Sequence, residues 1–189
     1  MPGPLTPSER SALLKIARQA LEAAVCGQVL PVLDRQALPP AFLEPGAVFV
    51  TLTQHGELRG CIGALEAYQP LVDDVQEHAA AAALQDYRFS PVKPEEASEL
   101  EIEISRLTQP LPLSYHGASD LLSKLHPGVD GVILRDGWRR ATFLPQVWDK
   151  IPTPEEFLSH LCYKMGASPD LWQRKPLDVA VYQVEEFHE

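Results

Sequence analysis

The sequence has few cysteines, and their positions suit neither disulfides nor structural zinc. Cys26, Cys61 and Cys162 are odd in number and far apart, and no CxxC or paired Cys/His spacing accompanies them. This pattern excludes a disulfide framework and a zinc-finger type of site. We therefore expect a protein of the reducing cytoplasm.

Membrane, phosphate-binding and nucleic-acid features are also missing. No stretch approaches the roughly 18 apolar residues that cross a bilayer, and the N-terminus lacks a basic segment followed by an apolar one. There is no Gly-rich phosphate loop and no cluster-ligating cysteine motif, so we predict no cofactor and assign any cofactor chemistry to a partner. A formal charge of −10 argues against a general nucleic-acid binder, which needs a basic surface.

What the sequence does contain predicts an α+β protein. With 189 residues, 45% hydrophobic and 22% charged, the chain can bury a substantial core. Residues 6–9 (TPSE) and 153–156 (TPEE) are capping boxes that begin helices at Pro7 and Pro154. Leu100–Leu107 alternates apolar and polar residues like a strand, and valines predict one closing strand over residues 179–187. We expect a single domain over residues 1–189, with a mixed, mostly antiparallel sheet flanked by helices.

The predicted helices account for two of the three cysteines. Cys26 lies in the last turn of the first helix, beside its apolar stripe, and Cys162 lies on the apolar stripe of the helix that begins at Pro154. Small apolar-like residues in such places are usually buried and inert. We therefore predict that Cys61 is the chemically interesting cysteine.

Cys61 lies in the stretch VFVTLTQHGELRGCIGAL, which reads as a hairpin with its turn at His55-Gly56. Gly60 and Gly63 lie inside the returning strand, where glycine usually marks a bulge or the close approach of another group. Strict alternation puts Leu58, Gly60 and Ile62 on one face and Arg59 and Cys61 on the other. A neighbouring guanidinium favours thiolate over thiol, so Cys61 is a candidate reactive cysteine.

Several other residues are candidates for a functional site, but each could equally be an ordinary surface residue. Arg88 and Phe89, in the loop DYRFSP, are either a surface pair or a substrate clamp. Glu101 and Glu103 are usually just a solvated strand face, but either becomes a proton shuttle if that face also carries Cys61. The arginines around the Asp136-Gly137 turn are either solvated hairpin tips or an anion site; they are Arg135, Arg139 and Arg140.

Several blocks of this chain resemble the AMMECR family, called protein A of the AmmeMemoRadiSam system in microbes. The matching blocks are LRGCIG at 58–63, DYRFSP at 86–91, LEIEIS at 100–105, DGVILRDGWRRATFLPQVW at 130–148 and EEFLSHLCYKMG at 155–166. Together they cover most of the chain. Residues 85–87 (QDY) depart from the more basic or proline-containing version that the family pattern leads us to expect.

The resemblance implies a fold and a setting, but no settled reaction. It implies two unequal lobes with the LRGCIG segment at a cleft between them. It also implies a shared pathway with a Memo-like protein and a radical SAM protein as partners. The cysteine motif of the family suggests an enzymatic role. From the chemistry of the residues themselves, we predict that Cys61 and Glu103 are catalytic. The predicted substrate-binding residues are Arg59, Gly60, Gly63, Arg88, Phe89 and Glu101.

Three functions remain open at this point. The first is an enzyme or small-molecule site in which Cys61 reacts and Arg59 stabilises its thiolate or binds an anionic substrate. The second is a scaffold in which the hairpin docks onto a partner and Arg59, Gly60 and Gly63 serve its shape. The third is a structural motif in which Cys61 is only a small buried residue. The rate at which Cys61 reacts with iodoacetamide at neutral pH separates them.

Overall fold

The computed structural model describes residues 3–189, which fold into helices and two sheets. The helices are α1 (Pro7–Val25), α2 (Pro40–Leu43), α3 (Leu71–Leu84), α4 (Ala118–Lys124), α5 (Pro154–Lys164) and α6 (Leu171–Arg174). The strands are β1 (Pro45–Gln54), β2 (Glu57–Gly63), β3 (Gln69–Pro70), β4 (Leu100–Leu107), β5 (Leu111–Pro112), β6 (Gly131–Asp136), β7 (Arg139–Phe143), β8 (Asp178–Tyr182) and β9 (Val184–His188). Short 3₁₀ helices cover Pro94–Glu99 and Pro145–Asp149.

The chain divides into two compact units. The first unit comprises residues 3–107 with Glu185–Glu189, and the second comprises Thr108–Val184. Each unit has its own sheet and its own cluster of buried apolar side chains.

The sheet of the first unit has the strand order β2-β1-β4-β9, and β3 pairs with the start of β1. β1 is antiparallel to both β2 and β4. The face of this sheet that carries Val48, Val50 and Leu52 is fully buried, in one core with α1 and α3. The opposite face carries the side chains considered below as a site.

The sheet of the second unit has the strand order β5-β8-β6-β7. Its core contains Trp148, whose ring stacks on Phe157 with centroids 3.7 Å apart, and Phe143 meets Phe157 edge to face. α5 supplies Phe157 and buries Cys162 in the same cluster.

The predicted α+β class is confirmed, and most elements lie where the sequence places them. α1 begins at Pro7 behind a complete capping box on Thr6, and the predicted pairing of Leu100–Leu107 with the hairpin is present. The single closing strand is wrong, because the chain breaks at Gln183 into β8 and β9, which belong to different sheets. No helix within residues 3–189 is both long enough and apolar enough to cross a membrane.

Candidate functional site

A β-bulge at Arg59 sets the geometry around Cys61. Thr53 pairs with Leu58 but Leu52 pairs with Gly60, so Arg59 is the extra residue. A bulge shifts every later residue of the strand by one position. Leu58 therefore lies on the open face with 43% of its surface exposed, and the expectation that it shares the core face with Gly60 is wrong.

Both glycines of the motif occupy places that a side chain cannot share. A Cβ on Gly60 would lie 2.2 Å from the backbone carbonyl oxygen of Ala82 in α3. A Cβ on Gly63 would lie 2.4 Å from Phe49 and from the Val48 carbonyl oxygen. These distances are far below van der Waals contact, so the glycines allow β2 to lie directly against its neighbours.

The backbone of Cys61 is held by a pair of charged side chains. β2 is the edge strand of its sheet, so the outward N–H and C=O groups of Cys61 have no neighbouring strand. The Cys61 N–H donates to Asp86 Oδ2 at 2.9 Å, and Arg88 Nη2 donates to the Cys61 carbonyl at 3.3 Å. Asp86 and Arg88 thus take the place of an additional strand at this residue.

Asp86 and Arg88 are themselves firmly paired. Arg88 donates through Nε at 2.9 Å and Nη2 at 2.6 Å to the two carboxylate oxygens of Asp86, which is only 5% exposed. The Arg88 hydrogen bond, joined by the N–H groups of Cys61 and Arg88, holds the pKa of Asp86 far below its usual range. The pKa of Arg88 is raised, chiefly by its hydrogen bond to Asp86. Arg88 is therefore a cation held beside the backbone of Cys61.

The Cys61 side chain belongs to a row of polar groups across the open face of the sheet. Thr51 lies directly opposite Cys61 on one side and directly opposite Glu103 on the other. The Thr51 hydroxyl donates to Cys61 Sγ at 3.3 Å. Cys61 and Glu103 share this face at a separation of two strands, or about 9.6 Å between backbones. Cys61, Thr51 and Glu103 are all partly exposed.

Glu103 is perturbed in a direction that suits proton transfer. Burial raises the pKa of Glu103, and the nearby Glu186 raises it further, while His188 opposes the shift. A carboxyl group with a raised pKa keeps its proton closer to neutral pH, which is what a general acid requires. Glu101 lies opposite Thr53, two residue pairs further along the strand and on the same face, and is exposed.

Arg59 is turned toward Glu96. Its guanidinium donates to both carboxylate oxygens of Glu96 at 3.2–3.3 Å and to the Ser90 carbonyl at 2.9 Å. The side chain is only 13% exposed. Its charge is therefore compensated by Glu96, and the structure brings Arg88 rather than Arg59 to the backbone of Cys61.

The remaining predicted residues fall into two groups. The Arg88 guanidinium lies 5.4 Å from the centre of the Phe89 ring, so these two side chains form one surface next to Cys61.

The other two cysteines differ from each other in burial. Cys162 is fully buried as predicted, and burial raises the pKa of its thiol. Cys26 is exposed, which corrects the prediction of a buried cysteine, because the residue is the C-cap of α1 and lies beyond the buried stripe. Within residues 3–189, no group of three or more His, Cys, Asp or Glu side chains is arranged to hold a metal ion.

Sequence reasoning missed Thr51 and Asp86. A tight His55-Gly56 turn without a bulge would place Thr51 opposite Gly60, so only the bulge reveals its contact with Cys61. The sequence offered only a weak signal for Asp86. An Asp side chain often accepts a hydrogen bond from the backbone N–H two residues later, and Asp86 accepts one from the Arg88 N–H at 3.1 Å.

Comparison with known proteins finds similarity over nearly the whole chain. The AMMECR1 family profile matches residues 14–187. A protein of Methanothermobacter thermautotrophicus is 42% identical over 98% of this chain and 97% of its own length. Protein MJ0810 of Methanocaldococcus jannaschii is 34% identical over 98% of this chain and 92% of its own.

A solved structure has the same fold. The crystal structure of the uncharacterised protein PH0010 from Pyrococcus horikoshii superposes with a TM-score of 0.83 at 33% identity. The match covers 98% of this chain and 93% of the other. By family profile, by sequence identity and by fold, this chain belongs to the AMMECR1 family.

Proposed function

We propose that this protein is an enzyme or small-molecule binding protein in which the Cys61 thiol attacks or holds a small substrate on the open face of the first unit's sheet. The observation that carries the proposal is the 3.3 Å contact from the Thr51 hydroxyl to Cys61 Sγ. A hydrogen bond donated to sulfur favours the thiolate, which is the nucleophilic form.

The surrounding residues support distinct roles in such a reaction. Asp86 and Arg88 hold the Cys61 backbone, so a cation lies beside the residue that carries the thiol. The thiolate adds to the electrophilic carbon of a double bond, whose π electrons move to the neighbouring atom, and the carboxyl of Glu103, whose pKa is raised by burial, donates a proton to that atom. The separation of about 9.6 Å between the two residues leaves room for a small molecule above Thr51.

Other residues of the same face would contact the substrate, and the family resemblance gives the reaction a pathway. Phe89, together with Arg88, offers an apolar and cationic edge for the substrate, and Glu101 lies further along the same face. The reaction would belong to the pathway that the resemblance implies, shared with a Memo-like protein and a radical SAM protein.

A second candidate, a scaffold without catalysis, is favoured by a different observation. Arg59 forms an ion pair with Glu96. Any side chain at Gly60 would clash with Ala82, and any side chain at Gly63 would clash with Phe49. Each of these motif residues therefore has a structural reason that needs no substrate. In that case the LRGCIG strand would serve as a rigid docking element.

The test is the rate of iodoacetamide alkylation at each cysteine, followed by mass spectrometry on native protein. The exposed Cys26 is the internal reference, since it has the access but not the Thr51 donor. Loss of one hydrogen bond of about 1 kcal/mol should lower the thiolate population about fivefold. We therefore expect Thr51→Val to slow Cys61 alkylation about fivefold and to leave the Cys26 rate unchanged.

The competing outcome is equally definite. If Cys61 in the wild-type protein reacts no faster than Cys26 across pH 6–9, and Thr51→Val changes neither rate, Cys61 is not an activated thiol. The scaffold would then be the better account.

A further inference from the structure

The polar row on the open face of the first unit's sheet extends onto β9, which pairs with β4. The Glu189 N–H donates to the carbonyl of Ile102 at 3.1 Å. Arg106 Nη1 lies 3.1 Å from a carboxylate oxygen of Glu185. A step from 106 back to 102 along β4 thus matches a step from 185 forward to 189, so the two strands are antiparallel in one register.

In this register Glu103 lies directly opposite His188, because position 102 is opposite position 189. The Ile102 carbonyl points to β9, so the backbone groups of the next residue, Glu103, point to β1. The pair of Glu103 with His188 is therefore of the non-hydrogen-bonded kind, whose Cα atoms are about 4.5 Å apart and whose side chains come closest. The polar row thus has one residue on each of four strands: Cys61, Thr51, Glu103 and His188.

His188 is held in place although it lies next to the end of the chain. Phe187 before it is 6% exposed and belongs to the core, so alternation turns the His188 side chain to the open face, where it is exposed. Glu189 after it is bound twice, by its N–H to Ile102 and by its carboxylate to Arg18 Nε at 3.1 Å. Terminal residues are poorly ordered unless they are tied down in this way. The backbone of His188 is therefore fixed on both sides.

His188 is the basic group among the titratable side chains around Glu103. Glu186 and His188 face it from β9, Glu101 shares its strand, and Cys61 lies two strands away. Burial raises the pKa of Glu103 and Glu186 adds to the shift, whereas the charge of His188 lowers it. A carboxyl that is partly buried and close to a second carboxylate releases its proton reluctantly, and a neighbouring cation counteracts this.

We propose that His188 is a positioning residue of this site, whose imidazolium faces the Glu103 carboxyl across two strands and makes it a stronger proton donor. The inference rests on the proposed function, in which Glu103 donates a proton to the atom next to the carbon that Cys61 attacks. The carboxylate that remains after this transfer is stabilised by the adjacent imidazolium. Imidazole takes up and releases protons near neutral pH, so the acid strength of Glu103 follows the pH of the solution.

A carbon-13 NMR titration of the Glu103 carboxyl carbon tests the pair directly. Protein labelled at glutamate is titrated from pH 3 to pH 9, and the Glu103 signal is assigned by its loss in Glu103→Gln. A unit charge at about 6 Å shifts a carboxyl pKa by about 0.5 unit even at the dielectric constant of bulk water. We therefore expect His188→Asn to raise the pKa of Glu103 by at least about 0.5 unit, and His188→Lys, which keeps the charge, to raise it less.

Two further variants control for indirect effects. His55→Asn makes the same change at a 78% exposed histidine in the β1–β2 turn and should leave the pKa of Glu103 unchanged. Glu186→Gln removes a negative charge and should lower that pKa. Unaltered thermal unfolding verifies that the variants are folded. Identical Glu103 titration curves in wild type and His188→Asn overturn the proposal. If His188→Asn fails to fold, a wild-type Glu103 curve with a single inflection overturns it, because a titrating neighbour adds a second inflection.

The chemical consequence is measured with acrylamide, whose double bond accepts a thiol and a proton. The ratio of the Cys61 alkylation rates in wild type and Glu103→Gln reports the contribution of the protonated carboxyl. This ratio should fall to one as pH rises through the pKa of Glu103, and in the His188→Asn background the fall should move to higher pH. A fall at the same pH in both backgrounds overturns the role of His188. A ratio of one at every pH contradicts the proposed acid role of Glu103, while the NMR titration still decides whether His188 controls that carboxyl.

Discussion

The two units of the chain have sheets of similar size, but the interior of each unit is stabilised by different interactions. In the first unit, buried carboxylates bind backbone N–H groups: Asp86 binds that of Cys61, and Asp74 binds that of Val48 at 2.8 Å. In the second unit, the centre of the core is aromatic, with Trp148 stacked on Phe157. The first unit also carries the whole formal charge of −10, since the acidic and basic residues of the second are equal in number. A buried carboxylate that accepts from a backbone N–H fixes the position of that backbone closely, which suits a binding site.

The distribution of tryptophan makes this contrast measurable. All three tryptophans, Trp138, Trp148 and Trp172, belong to the second unit. Tryptophan emission therefore reports on the second unit alone, while far-ultraviolet circular dichroism reports on both. The following changes are all made in the first unit.

The largest effect is expected for Gly60→Ala. The added methyl group would lie 2.2 Å from a backbone oxygen of Ala82, which a flexible side chain cannot relieve. Overpacking of this kind costs about 3 kcal/mol. We expect the dichroism midpoint in urea to fall strongly and the tryptophan midpoint to fall much less. The control is Gly3→Ala, where nothing lies within 4 Å; equal falls of both midpoints would show that the two units unfold as one.

A smaller loss is expected for Asp86→Asn. The change removes a charged acceptor from Cys61 and Arg88 and should cost about 2 kcal/mol at pH 7. The folded pKa of Asp86 lies below the ordinary 3.8, so its contribution is complete above about pH 5 and is lost as pH falls through the folded value. The difference between wild type and variant in urea unfolding should therefore shrink on acidification below pH 4.

Asp73→Asn is the matched control for Asp86→Asn. Asp73 also binds an arginine, Arg35, but that side chain is 54% exposed, so the loss should stay within about 1 kcal/mol. A difference for Asp86→Asn that stays constant from pH 7 to pH 3 would contradict the assigned ionisation.

The smallest effect is expected for His78→Gln. His78 Nδ1 lies 3.2 Å from the buried carboxylate of Asp74; burial alone would lower the pKa of His78, but the nearby carboxylate of Asp74 raises it above the ordinary 6.5. A raised pKa stabilises the fold fully below pH 6.5, and this stabilisation is lost as pH rises through the folded value. Wild type should exceed His78→Gln by up to about 1 kcal/mol near pH 5.5 and by less at pH 9. An NMR titration in which the His78 ring shows a pKa below 6.5 would contradict this account.

Local signals predicted the fold well, whereas the site depended on one irregularity. Capping boxes fixed the starts of α1 and α5, and alternation fixed β4 to the residue. The bulge at Arg59 has no comparable signature, and it decides which residue faces Cys61. The choice between Arg59 and Arg88 as the cation beside Cys61 depended on Glu96, which binds Arg59 from 37 residues further along the sequence. Contacts over such separations follow from packing and leave no local pattern.

The pairing of Asp86 and Arg88 with the Cys61 backbone has a consequence for how the protein behaves in a crowded solution. An exposed strand edge is a template on which other extended chains assemble into aggregates. At Cys61 both edge groups are already occupied, and a charged guanidinium stands in the path of an incoming strand. The contact that orients the cysteine therefore also protects the sheet from aggregation through this edge.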